Sequence, residues 1–211
     1  MKPVVIKLGG SLLGTAALAG WLDNILSHGP GRVVIVPGGG WFAERVRIAQ
    51  AEQGFGDDTA HRQAIEAMQG FADELINLAP RLKPARSIHE VRSHLDDGNI
   101  PVAVVMNDWL QAEDIRASWD WTSDSLALWL ARALEADAML LVKQRTPDRD
   151  RQDVSTAVAD NILDKAFPDL LAGVSLPVSW CGADQAELLA TWVEAPESVY
   201  CRLISSASSF N

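Results

Sequence analysis

Val4-Val5-Ile6-Lys7-Leu8-Gly9-Gly10-Ser11 and Val33-Val34-Ile35-Val36-Pro37-Gly38-Gly39-Gly40 are the stretches on which the reading of this chain turns. In each, a branched apolar run without polar alternation ends in glycines. Such a run suits a strand buried on both faces. A glycine cluster at its end lets backbone come close to a ligand, and successive N–H groups can turn toward an anion. The first cluster also has Lys7 just before it and the Ser11 hydroxyl just after it. Those are the parts needed to hold phosphate, so the chain reads as a nucleotide-dependent phosphotransferase.

Outward from these two runs, apolar segments alternate with helical patterns. Strands are predicted at 3–8, 32–37, 101–106, 138–143, 176–181 and 198–204. Helical stretches lie near 12–28, 41–53, 57–79, 87–97, 123–136, 160–172 and 183–194. This order predicts an α/β fold, a mostly parallel sheet with helices on both faces. Residues 144–155 form the one strongly polar loop. With 211 residues there is chain enough for a substantial core. A single domain over 1–205 is expected, with 206–211 as a frayed tail.

Composition removes some partners. A net charge of −10 argues against a nucleic-acid surface, although one phosphorylated small molecule needs only a local positive site. No run is apolar and long enough to span a membrane, and no signal peptide precedes the first strand, so the cytoplasm is the expected location. Cys181 and Cys201 fit no metal spacing and read as reduced and buried. Of eight tryptophans, Trp41, Trp109, Trp119 and Trp121 lie in polar surroundings, where an aromatic face suits a ligand or a subunit.

In open α/β sheets ligands bind beyond the carboxyl ends of the strands. The unusual clusters fall there: Lys7 with Gly9, Gly10 and Ser11; Gly38, Gly39 and Gly40; Asn107 and Asp108; Thr122, Ser123 and Asp124; and Lys143. The chain has neither the Gly-x-x-x-x-Gly-Lys-[Ser/Thr] of a P-loop nor Gly-x-Gly-x-x-Gly after its first strand. Only five lysines are present, and two of them, Lys7 and Lys143, stand at ligand-side strand ends. Phosphoryl transfer needs cations on the transferring group and a rigid frame. Lys7 and Lys143 fit as those cations, with Lys143 alternatively a surface charge. Asp124 would hold them in place or bind Mg²⁺ with the nucleotide phosphates. Thr122 or Ser123 is a natural N-cap for the helix that follows. His61 shares a stripe with Ala64, Met68, Phe71 and Leu75, as a core histidine or a substrate-pocket residue. Asp57 and Asp58 read as caps of that helix.

At these residues the sequence resembles the amino acid kinase family. The likeness rests on Lys7-Leu8-Gly9-Gly10-Ser11, Pro37-Gly38-Gly39-Gly40, Thr122-Ser123-Asp124-Ser125-Leu126-Ala127 and the strand ending in Lys143. It implies a three-layer αβα sandwich, ATP with Mg²⁺ as phosphoryl donor, and a homodimer or higher homo-oligomer. By position, it implies that Lys7 touches the transferring group, that the glycine backbones cradle phosphates, that Asp124 organises the catalytic lysine, and that Lys143 lies near the nucleotide. Asp58-x-x-His61, Ala67-Met68-Gln69, Ser118-Trp119-Asp120-x-Thr122-Ser123-Asp124-Ser125 and Leu140-Leu141-Val142-Lys143 are similar to a short aspartokinase-like group tied to methanofuran biosynthesis. That implies a phosphorylated acceptor, [5-(aminomethyl)furan-3-yl]methyl phosphate, with His61, Trp119, Asp120 and Trp121 in its pocket. Two alternatives stay open: an amino acid or another phosphate monoester as acceptor, and a non-catalytic nucleotide-binding module. Gln144-Arg145-Thr146-Pro147-Asp148-Arg149 departs from the family's usual nucleotide-framing loop, and Lys165, the one candidate for a second late lysine, reads as a surface charge.

Overall fold

Eight strands build one sheet in this computed structural model, which describes residues 2–205; the expected frayed tail, 206–211, lies outside the described residues. The strands are β1 (Val4–Leu8), β2 (Val33–Pro37), β3 (Leu82–Ala85), β4 (Ile100–Ala103), β5 (Ala138–Lys143), β6 (Arg151–Asp153), β7 (Val178–Gly182) and β8 (Cys201–Ile204). Their order across the sheet is β3-β4-β2-β1-β5-β7-β8-β6, parallel throughout except for the β7–β8 pair. The helices are α1 (Ala16–His28), α2 (Gly40–Gln53), α3 (Asp57–Leu78), α4 (Ile88–Asp96), α5 (Asn107–Gln111), α6 (Ser123–Ala133), α7 (Val154–Ala159), α8 (Phe167–Ala172) and α9 (Leu189–Glu194).

The glycine-terminated runs form the two central neighbours β1 and β2, fully buried as their unalternating sequence predicts. Two cores flank the sheet. On one face Val5, Met139 and Leu141 meet α6 and α8 through Leu126, Leu130 and Phe167. On the other, Val4, Ile6, Leu8, Leu140 and Val142 meet α1 and α9 through Trp21, Ile25 and Trp192. Strand side chains alternate between faces. That parity decides where the chemistry goes. Lys7 shares the face of Val5, and Lys143 shares the face of Met139 and Leu141, so both point toward α6.

Several boundaries differ from the sequence expectation. Leu82-Lys83-Pro84-Ala85 is an edge strand, and a proline is tolerated there because an edge needs fewer N–H donors. Part of the polar loop becomes β6 on the opposite edge, and Asp153 Oδ1 then caps α7 by accepting from the N–H groups of Ser155 and Thr156. The predicted strand 101–106 ends at Ala103, and Val105 turns at φ +25° before α5. Predicted helix 160–172 is helical only over α8. Trp109 is core, 2% exposed. Cys181 and Cys201 are free, buried thiols whose pKa values burial pushes up, as the reduced reading expects. Among the described residues no helix is long and apolar enough to cross a membrane.

Candidate active site

Strand parity and one helix start assemble an ion cluster at the carboxyl end of the sheet. Asp124, in the first turn of α6, takes Lys7 Nζ on Oδ1 at 2.9 Å and Lys143 Nζ on Oδ2 at 2.6 Å. The three side chains are 6%, 7% and 17% exposed, so water contributes little to solvating the charges. Burial alone pushes the Asp124 carboxyl upward, but Lys143 and then Lys7 overcome it and hold the group at about 2. Burial pushes the Lys143 ammonium down to about 8; Asp124 opposes that fall and Lys7 adds to it. At about 8 the Lys143 ammonium still carries its charge at neutral pH, in a site where water screens little.

The glycine runs have a steric role before any ligand arrives. A Cβ on Gly10 would lie 2.1 Å from Gly40 N, and one on Gly38 would lie 2.5 Å from Gly10 N. The two loops therefore pack backbone against backbone, and Gly40 sits at φ +50°. Gly9 donates its N–H to Val142 O at 3.0 Å, and Gly38 donates to Leu8 O at 2.8 Å, which fixes both loops to the sheet. The N–H groups of Gly10, Gly39 and Gly40 have no hydrogen-bond partner among the described residues. All three residues line a cavity of about 180 Å³ together with Lys7. Clustered free N–H groups beside an ammonium make an anion cradle.

The far wall of the cavity comes from α2, α3 and the loop 112–122. His61, Ala64, Ile65 and Met68 line it from α3, and Trp119, Trp121, Thr122 and Ser123 from the loop and the start of α6. Arg47 also lines it. Its guanidinium lies 4.5 Å from the Trp119 ring centroid, and Trp119 Nε1–H donates to Gln50 Oε1 at 2.6 Å, so α2 grips the loop at two points. His61 is half-buried; burial lowers its pKa against the Ser118 backbone and Asp58, and its Nε2 has no partner. An adjoining cavity shares His61 and carries Asp58, Arg62 and Trp109.

The cavity brings together Lys7, Gly10, Gly38, Gly39, Gly40, His61, Trp119, Trp121, Thr122 and Ser123 of the residues singled out from sequence. Gly9 and Ser11 lie beside it without lining it. Asn107 is exposed and its N–H donates to Arg86 O, and Asp120 is exposed and pairs with Lys165 at 3.2 Å; neither lines the cavity. Lys165 lies in a turn before α8, not on a helix, and its side chain, 78% exposed, is a surface charge. Asp57 and Asp58 do not cap α3, whose N-cap is Gly56; they occupy its first turn, and Asp57 accepts from Gln50. Sequence reasoning missed Arg47 and Asp164. The Asp164 carboxylate accepts from Thr122 N–H at 2.8 Å, Thr122 Oγ1 at 2.9 Å, Ser125 N–H at 3.1 Å, Phe167 N–H at 3.1 Å and the Ser125 hydroxyl. Thr122 is the N-cap of α6 by position, but its hydroxyl serves Asp164 and not its own helix.

Beyond Lys143 the 144–150 segment crosses Gly182, where a Cβ would lie 1.9 Å from Thr146 Oγ1, and Thr146 donates to Asp184. Among the described residues no three His, Cys, Asp or Glu side chains converge as metal ligands.

A central β1–β5 pair, interlocked glycine loops and a lysine–aspartate–lysine cluster mark the carboxyl end of this α/β sheet, and the chain belongs to the amino acid kinase family, whose profile matches residues 2–145. It is 25% identical over 138 residues to the [5-(aminomethyl)furan-3-yl]methyl phosphate kinase of Methanocaldococcus jannaschii, a match covering 65% of this chain and 63% of that protein. The chain thus aligns with somewhat under two thirds of that relative's length. In fold it is similar to the uridylate kinase of Archaeoglobus fulgidus (TM-score 0.74, 19% identity, 97% of this chain and 100% of that one). It is also similar to an isopentenyl phosphate kinase (TM-score 0.65, 15% identity, 95% and 99%). The UMP kinase of Bacillus anthracis gives a TM-score of 0.60 at 21% identity, over 97% and 96%.

Proposed function

We propose that this protein is an ATP-dependent kinase that transfers the γ-phosphoryl group to the phosphate of a small phosphomonoester. The observation that carries the reading is the cavity lining. Its charged or titratable side chains are Lys7, Arg47 and His61, with no carboxylate among them, and three free N–H groups join them. Such a surface takes an anionic end of the acceptor and offers no carboxylate to the α-ammonium that an amino acid carries beside its own anionic group. A phosphate monoester at neutral pH is its own oxygen nucleophile, so no general base is required. Its oxygen forms a bond to the γ-phosphorus while the bond from that phosphorus to the β,γ-bridging oxygen breaks, giving a diphosphate and ADP. Lys7 faces the transferring group, Lys143 the nucleotide phosphates, and Asp124 fixes the distance between the two ammonium groups.

Both carboxylate oxygens of Asp124 are taken by ammonium groups. It therefore suits anchoring lysines better than ligating metal, and Mg²⁺ would arrive on the nucleotide phosphates. The acceptor favoured is [5-(aminomethyl)furan-3-yl]methyl phosphate, supported by the relative in Methanocaldococcus jannaschii. Its ammonium group finds indole faces at Trp119 and Trp121 and a carboxylate in the adjoining cavity at Asp58. ³¹P NMR with Mg-ATP and this acceptor tests the reading. A new diphosphate doublet pair beside ADP is the expected result. ADP release with aspartate or another amino acid, and none with any phosphomonoester, would overturn it.

A further inference from the structure

The ion cluster comes from β1, β5 and α6, all inside residues 2–145. Asp164 is the contribution of the later chain. It lies just before α8, about forty residues from α6, and its two oxygens take five donors. Four of the five come from Thr122 and Ser125, the residues two before and one after Asp124. No cation pairs with Asp164 among the described residues. Asp164 is half-buried, and a carboxylate that is partly withdrawn from water and gains only backbone and hydroxyl donors is costly unless it is well satisfied. Here it supplies the helix cap that Thr122 does not, from outside the helix.

We propose that Asp164 is a positioning residue for phosphoryl transfer: it clamps the first turn of α6 so that Asp124 meets Lys7 and Lys143 together. The proposal rests on the kinase reading for its kinetic consequence and on geometry alone for its structural one. Asp164→Asn cannot keep the clamp. Whichever way the amide turns, its NH₂ faces either the N–H groups of Thr122 and Ser125 or that of Phe167, donor against donor. Ser125→Ala is less drastic: it deletes the hydroxyl bond and leaves the Asp164 charge in place.

With five lysines in the chain, ¹³C-lysine labelling gives a short spectrum in which the Lys143 side chain can be followed against pH. Lys143 faces Asp124 from α6, Lys7 from β1 and Asp164 from the segment before α8. In the wild type it titrates at about 8. In both variants, full-length and folded by thermal melting, the Lys143 midpoint falls. In turnover assays Asp164→Asn lowers kcat about 100-fold, as a displacement of roughly 1 Å does, with acceptor KM little changed. A Lys143 midpoint unchanged in both variants overturns the proposal. So does a shift confined to Asp164→Asn, because that would make Asp164 a charge and not a clamp. If the wild type transfers phosphate to no phosphomonoester, the functional reading fails, and the lysine titration still decides the clamp.

Discussion

The two sides of the Asp124 cluster are built differently. On the side of β2, the cavity is walled by α2, α3 and the loop 112–122, and it carries Arg47, His61 and free glycine N–H groups. On the side of β7, the short 144–150 segment lies against Gly182 and is fastened by Thr146 to Asp184. The first side presents a shaped hollow, and the second an exposed strap over a glycine. The difference teaches where the proposed reading is exposed to test: it puts the acceptor among the side chains and free glycine N–H groups of the first side, and the nucleotide beside Lys143 and the strap of the second.

The largest expected effect tests the centre between the two sides. Lys7→Ala lowers kcat about 1000-fold while the protein stays folded, measured by ADP release with the phosphomonoester. Turnover near wild type would remove Lys7 from the chemistry. Asp124→Ala loses turnover to the same degree and also loses stability. It strands two buried ammonium groups, and breaking such a pair costs roughly 3–5 kcal/mol. A lowered melting temperature for Asp124→Ala but not for Lys7→Ala is the expected pattern.

Next, the two sides should separate kinetically. Arg47→Ala removes one of the two holds on Trp119 and a cation from the cavity, and raises acceptor KM about 10-fold with ATP KM unchanged. Thr146→Ala loosens the strap and moves ATP KM and not acceptor KM. If either variant moved both constants equally, the division between the two sides would fail.

Lys143 gives a smaller, pH-dependent effect. Its pKa is depressed to about 8, so the ammonium is lost as pH rises through that value. Expected kcat is level below pH 7 and halves near pH 8. Stability moves oppositely on this group's account: the unfolded chain binds more protons between about 8 and 10.5, so Lys143 favours the folded state more as pH rises. For Asp124, depressed from 3.8 to about 2, the stabilisation present above pH 4 is lost as pH falls through that window. A kcat profile flat to pH 10 would show that Lys143 carries no charge needed for transfer. The smallest effect belongs to Lys165→Ala, within about 2-fold in every constant, because its ion pair with Asp120 is exposed.

The centre was legible because its signals are local. Strand parity places Lys7 and Lys143 on one face, and Thr122-Ser123-Asp124 marks a helix start by cap chemistry. The periphery was legible only in part. Asn107 follows a predicted strand end, but the turn at Val105 and the short α5 leave it exposed and off the cavity. Asp120 adjoins two cavity tryptophans in sequence, yet it points to Lys165. Asp164 carries no local signal at all. It lies between short elements in a stretch whose predicted helix is only half formed, and its partners are forty residues away. Arg47 was hidden because α2 mixes apolar and charged residues around its whole circumference and buries none of them. The edge strands β3 and β6 escaped because edges tolerate proline and charge.

The grip of α2 on Trp119 also makes the protein its own gauge. An indole stacked under a guanidinium and hydrogen-bonded to an amide has an emission set by those two neighbours. An anion entering the cavity competes for Arg47 and changes that environment. Acceptor occupancy can therefore be read as a change in intrinsic fluorescence that Trp119→Phe abolishes, with no label, no nucleotide and no turnover.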